Sequence, residues 1–156
     1  RCALPNGGRL FLDTLDRRQG EEYMFPYMRK SITDAWRRAG VDSVESLDGI
    51  ETHDCFTSTE YMAIDHFGLT PPGQSWQAID SGLVELDGRC PVNASGGLIG
   101  VGHPVGATGA RLLLDAGRQV TGTAGDYQVK GARTYGTLNI GGSLGTVVSF
   151  VVGLRD

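Results

Sequence analysis

The chain reads as an α/β domain in which helices cover a sheet, and three observations predict it. A helix-periodic stretch runs from Phe25 to Gly40. A strand over residues 46–52 then turns through a polar corner into a second helix, and two apolar strands close the chain around a pair of glycines. The last strand is almost continuously apolar, with Val147, Val148, Phe150, Val151 and Val152. That pattern predicts burial on both faces, and so helical layers over the sheet.

Residues 1–25 form a lead-in that is hard to read: Leu10-Phe11-Leu12 fits the start of a strand, and residues 16–22 a polar connection. From there Met28, Ile32, Ala35, Trp36 and Ala39 take one helical face. Arg29, Lys30, Asp34, Arg37 and Arg38 take the other, and Gly40 is placed to stop the helix. The strand over 46–52 delivers His53-Asp54-Cys55-Phe56 at its C-terminal end, where open α/β sheets place ligands. Thr57 with Glu60 matches a capping box. The helix it opens packs Ala63, Ile64 and Phe67, leaves His66 on its solvated side and stops at Gly68.

Thr70-Pro71-Pro72-Gly73 is a loop, residues 76–82 suit a short helix, and Asp87-Gly88 signals a turn. A glycine-rich stretch from Asn93 to Gly109 precedes a helix carrying Ala110, Leu113, Leu114 and residues 117–120. Residues 134–140 and 145–152 then read as strands joined at Gly141-Gly142-Ser143. Nothing divides the chain, so 1–156 is expected to be one domain, without internal repeats.

Composition narrows the function classes. A net charge of −4 with no Lys/Arg-rich run gives no footprint for nucleic acid, and no apolar stretch reaches a membrane span. Three cysteines at irregular spacing argue against a disulfide framework and for a reducing compartment. No Cys-x-x-C is present and His53, His66 and His103 are scattered, so no structural metal site is expected. The chain opens at Arg1 without a signal-peptide pattern, which fits a domain cut from a longer protein, and a cytoplasmic location is the default.

The glycines invite a nucleotide-binding reading that fails on spacing. Three residues separate Gly102 from Gly106, and no Gly-Lys-Ser/Thr follows. A serine-hydrolase elbow, Gly-x-Ser-x-Gly, is also missing. What remains is His103, between a glycine and Pro104. With Pro104 at a first helical position, the ring would lie at the positive end of a helix, which favours neutral imidazole as a base. Taken alone, such a histidine is more often structural. Cys55 has the same ambiguity: a strand-end cysteine is usually a small buried hydrophobe, although His53 and Asp54 beside it could tune a thiol. Cys2 and Cys90 lack such neighbours and read as structural.

Together, Asn93-Ala94-Ser95-Gly96-Gly97, Gly102-His103-Pro104 and Gly106-Ala107-Thr108-Gly109 resemble the thiolase stretch N-P-S-G-G…G-H-P-x-G-A-[ST]-G. His53-Asp54-Cys55-Phe56 resembles the variant motif of sterol-carrier-protein-type thiolases, where most thiolases have Asn-Glu-Ala-Phe. The likeness covers roughly residues 26–153. It implies the C-terminal half of an α-β-α-β-α layered fold, with a mixed five-stranded sheet covered by helices. The N-terminal half would carry a nucleophilic Cys in a Cys-x-Ser motif, which this chain lacks.

The same resemblance implies roles. His103 activates the nucleophile and donates to the thioester oxygen, and His53 stands where Asn holds an oxyanion-hole water. Gly141 offers a backbone N–H to a second oxyanion hole. Asn139 stands where most thiolases have a second catalytic Cys, so proton transfer at the α-carbon passes to Cys55. Phe56, Pro104 and Asn139 line the substrate site. The implied reaction is Claisen condensation or thiolysis of 3-oxoacyl-CoA, with coenzyme A as substrate and no prosthetic group or metal. Its partners are acyl-CoA, the N-terminal half and, as for thiolases generally, further copies in a homo-oligomer. Two alternatives stay open: a thiolase-fold retro-aldolase acting on steroid side-chain CoA thioesters, and a non-catalytic acyl-CoA-binding module.

Overall fold

The computed structural model describes residues 2–3, 22–142 and 144–154. The proposed strand at Leu10-Phe11-Leu12 lies outside them. In chain order the elements are β1 (Cys2–Ala3), α1 (Pro26–Ala39), β2 (Gly49–Thr52), α2 (Thr57–Phe67), α3 (Trp76–Asp80), α4 (Gly97–Val101), α5 (Thr108–Thr121), β3 (Thr134–Gly141) and β4 (Thr146–Gly153). The sheet runs β1-β4-β3-β2; β2 and β3 are parallel, while β4 is antiparallel to both β3 and β1. The sheet is mixed, as expected, but the described residues form four strands rather than five. The β2 edge is continued only by a single parallel bridge from Ile50 to Val92.

Period-two alternation along each strand sorts side chains to two faces. On one, Ile50, Leu138, Ile140 and Val147 pack with Met28, Ile32 and Trp36 of α1 and with Ala63, Ile64 and Phe67 of α2. On the other, Tyr135 packs with Ala116 and Val120 of α5 and with Val129 and Ala132. Gly49 has to be glycine because a Cβ there would collide with the ring of the fully buried Tyr135. No described helix is long and apolar enough to cross a membrane.

Several local expectations change. Residues 44–46 are a 3-10 turn, so β2 starts only at Gly49. Asp34 is buried rather than on the open polar face of α1, and it pairs with Lys30 (3.0 Å) and Arg37 (2.9 Å) of the same helix; Ala39 is exposed. The start of α2 is tied by Thr59, not by Thr57 with Glu60. The Thr59 hydroxyl accepts from Phe56 N–H (3.3 Å) and donates to Phe56 C=O (2.6 Å).

His66 is fully buried, not solvated. Its Nδ1–H donates to Met62 C=O (2.6 Å) and its Nε2 accepts from Phe25 N–H (3.0 Å), a pairing that requires the neutral ring. Burial, the larger effect, lowers its pKa. The last strand is not buried throughout, since Phe150 is 43% exposed. Both Gly40 and Gly68 adopt the left-handed conformation that ends α1 and α2.

Candidate active site

The site lies beyond the C-terminal end of β2, where the chain leaves the sheet at residue 53. His53 N–H still donates to Leu138 C=O (2.9 Å), so the first residue of the corner is anchored to β3. Asp54, 3% exposed, turns its carboxylate to the glycine-rich loop, where Oδ1 accepts from Leu98 N–H (2.6 Å). A Cβ at Gly97 would collide with that carboxylate, and Gly97 has φ +60, so glycine is required there on two counts. Asp54 therefore joins the corner to the loop.

That loop forms the short helix α4, turns at Gly102 (φ 94) and presents His103. Pro104 is not the first helical residue, because a turn over 105–107 intervenes and α5 starts at Thr108. Instead the Pro104 carbonyl accepts from Ala107 N–H (2.7 Å) and Thr108 N–H (3.1 Å), which curls the loop back. The buried Thr108 then holds His103 through an Nδ1–Oγ1 contact of 2.7 Å. With the Thr108 hydroxyl donating to Pro104 C=O (3.2 Å), its oxygen is left to accept from Nδ1–H. That tautomer frees Nε2 as the basic atom.

His53 and His103 meet edge to face with ring centroids 4.9 Å apart. Burial first, and the neighbouring His103 second, push the His53 pKa below its ordinary value; Asp54 and the Asn139 side chain oppose the shift. Its Nδ1 is buried with no hydrogen-bond partner among the described residues. A cavity of about 500 Å³ opens beside the pair, lined by His53, Cys55, Phe56, His103, Asn139 and Gly141 among others. Of the residues to which the family resemblance gives a role, Pro104 does not line it; nor does Asp54, which faces the glycine-rich loop. Cys55 is half-buried, with Sγ 4.0 Å from Thr59 Oγ1. Cys90, by contrast, is fully buried, which pushes its thiol up to about 12.

Sequence reasoning missed three groups. Thr59 and Met62 line the cavity one and two helical turns beyond Cys55. Thr108 grips His103, a role its place at a helix start could have signalled. The third is Glu51, fully buried two residues before His53. Its Oε2 accepts from Ser95 Oγ (2.6 Å) and its Oε1 from Ser95 N–H (3.1 Å).

Desolvation raises the Glu51 carboxyl from 4.5 to about 7 against the two Ser95 bonds, with Asp115 adding to the rise and Arg111 opposing it. Tyr135 also faces this group. The folded state therefore holds a proton that the unfolded chain has lost between pH 4.5 and about 7. Across that window the Glu51 contribution to stability falls as pH rises, by on the order of 3 kcal/mol at about 1.4 kcal/mol per pH unit. Thermal unfolding of Glu51→Gln beside the unsubstituted protein at pH 5 and pH 8 should show the variant gaining on it at the higher pH. A constant difference would contradict this account.

The arrangement defines an α/β fold that gathers two histidines and a thiol at the mouth of an apolar cavity. The chain belongs to the thiolase C-terminal domain-like family, whose model matches residues 12–154. It is 42% identical over 100 residues to an acetyl-CoA acetyltransferase of Methanothermobacter thermautotrophicus, covering 64% of this chain and 26% of that protein. It is 35% identical over 122 residues to human sterol carrier protein 2, covering 77% of this chain and 22% of that one. The chain thus spans about a quarter of the length of these curated relatives. Among solved structures it resembles the Ltp2-ChsH2(DUF35) aldolase, with a TM-score of 0.77 over 97% of this chain and 38% of that one. At 21% identity that likeness shows the fold alone.

Proposed function

We propose that the chain is the acid/base half of an acyl-CoA thiolase-type acyltransferase, acting on 3-oxoacyl-CoA by thiolysis or in the Claisen direction. The observation that carries this reading is convergence. His53 and Cys55 from the β2 corner, His103 from the glycine-rich loop, and Asn139 and Gly141 from the end of β3 all reach one cavity. Acyl transfer through a cysteine needs a base for the nucleophile, a second base for a weakly acidic C–H, and donors for two oxyanions. In this assignment His103 is the first base and Cys55 the second, and His53 and the Gly141 N–H serve the oxyanions. Asn139 and Phe56 contact the substrate, coenzyme A enters as substrate, and no prosthetic group takes part.

The nucleophile comes from an N-terminal half, and His103, exposed here, is the group that would face it. A thiol beside a histidine suits acyl transfer better than a retro-aldol cleavage, which requires no such pair. The complete protein should convert acetoacetyl-CoA and coenzyme A to acetyl-CoA. The 156-residue chain alone should not, because none of its cysteines stands in a Cys-x-Ser. Thiolysis by the chain alone, or none by the complete protein, would refute this division of labour.

A further inference from the structure

We infer that Glu51 is a positioning residue that fixes the His53–His103 pair by clamping Ser95. The inference rests on the acid/base roles proposed above. Alternation along β2 puts Glu51 and His53 on the same face of the sheet, toward α5. Three side-chain bridges join this strand and its corner to the glycine-rich loop, each spanning more than forty residues of chain. Thr52 N–H donates to Asn93 Oδ1 (2.7 Å), Glu51 takes both donors of Ser95, and Asp54 accepts from Leu98 N–H. The corner carries His53 and the loop leads to His103, so these bridges set how the two rings meet.

Glu51 is the one of the three that has to be explained by more than a turn. A carboxyl group withdrawn from water is costly in either protonation state unless its oxygens are hydrogen-bonded, and both oxygens here are spent on a single serine. Ser95 has no freedom left, since its hydroxyl oxygen also lies 3.4 Å from the Gly97 N–H it accepts. Gly97 and Leu98 are buried beside Ser95, but residues 99–107 are all exposed and include Gly100, Gly102 and Gly106, so the packing of the segment around His103 does not by itself hold the ring. Anchoring at Ser95 on one side and Thr108 on the other fixes the ring. A displacement of about 1 Å in a catalytic group can cost on the order of 10²-fold in rate.

The test is a set of variants of the complete enzyme. Glu51→Ala is expected to lower kcat about 10- to 100-fold with little effect on KM, because the clamp orients a base and does not touch substrate. Ser95→Ala should give a comparable loss, and the double variant no more than either alone, since the two groups act as one unit. Glu51→Gln should recover most of the loss, because its amide can accept from Ser95 N–H and donate to the hydroxyl oxygen. Additive losses, a loss carried by KM, or no rescue by Gln would overturn the inference. Should Glu51→Ala not fold, Ser95→Ala and Glu51→Gln decide it, as they remove only a hydroxyl and a charge. The imidazole nitrogen NMR signals of His53 and His103 are read without substrate. They should move in Ser95→Ala and return toward their original positions in Glu51→Gln. Unmoved signals would overturn the positioning claim even if the enzyme turned over no 3-oxoacyl-CoA, an outcome that would by itself refute the proposed function.

Discussion

Replacing His103 by Ala in the complete enzyme is expected to slow acylation of the nucleophilic cysteine by on the order of 10²–10⁴, the usual worth of a general base. The fold should survive, because His103 is exposed and its one side-chain hydrogen bond among the described residues goes to Thr108. The expectation comes from the tautomer. Thr108 Oγ1 gives its proton to Pro104 C=O and receives Nδ1–H, leaving Nε2 with a free lone pair at the cavity. Thr108→Val should therefore reproduce part of the loss, since valine keeps the buried shape and removes the acceptor that selects the tautomer. The measurement is the single-turnover rate of acyl-enzyme formation from acetoacetyl-CoA. An acyl-enzyme that forms in His103→Ala at the unsubstituted rate would assign the base elsewhere, and His53 would be the first residue to examine.

Much of the local structure was legible because it rests on short-range rules. The stripe Met28, Ile32, Ala35 and Trp36 predicted the buried face of α1, and Gly40 and Gly68 fell at left-handed helix ends. The strand-to-helix corner at residues 53–56 and the pairing of the two closing strands were readable for the same reason. What the sequence hid depends on partners far along the chain. His66 looks like a solvated helix residue until Phe25 N–H, 41 positions away, is seen against its Nε2. Glu51 reads as a charge on a strand, and only Ser95 shows why it can be buried. Asp34 reads as a surface charge by periodicity, yet it is buried and paired with Lys30 and Arg37. The expected fifth strand does not appear among the described residues, where the β2 edge carries only the Ile50–Val92 bridge. The assembly of the cavity followed from the family resemblance rather than from any residue alone, since His103 and Cys55 each admit a structural reading.

Cys55→Ala should abolish exchange of the α-protons of acetyl-CoA while leaving acylation of the nucleophilic cysteine in place. The two steps use different groups. In the assignment proposed above acylation uses His103, whereas enolate formation uses a base at the α-carbon, where the family resemblance puts a cysteine in most thiolases and this chain has Asn139. The Asn139 amide is not basic enough to take a carbon-bound proton near neutral pH, so the proposed assignment gives the work to a neighbour in the same cavity. Cys55 lines that cavity and is half-buried, and a thiol exchanges protons readily in that pH range. The contact of Cys55 Sγ with Thr59 Oγ1 at 4.0 Å, one turn along α2, keeps the sulfur at the cavity wall. A general base is worth about 10²–10⁴ in rate, so the loss of exchange should be easy to resolve. Moving the thiol back, in the double variant Cys55→Ala, Asn139→Cys, should recover part of the exchange, because both side chains open on the same space. Deuterium incorporation into acetyl-CoA by the complete Cys55→Ala enzyme decides the matter. Incorporation at the unsubstituted rate would leave Cys55 as a packing residue and require another group, with His53 the nearest candidate, to carry the proton.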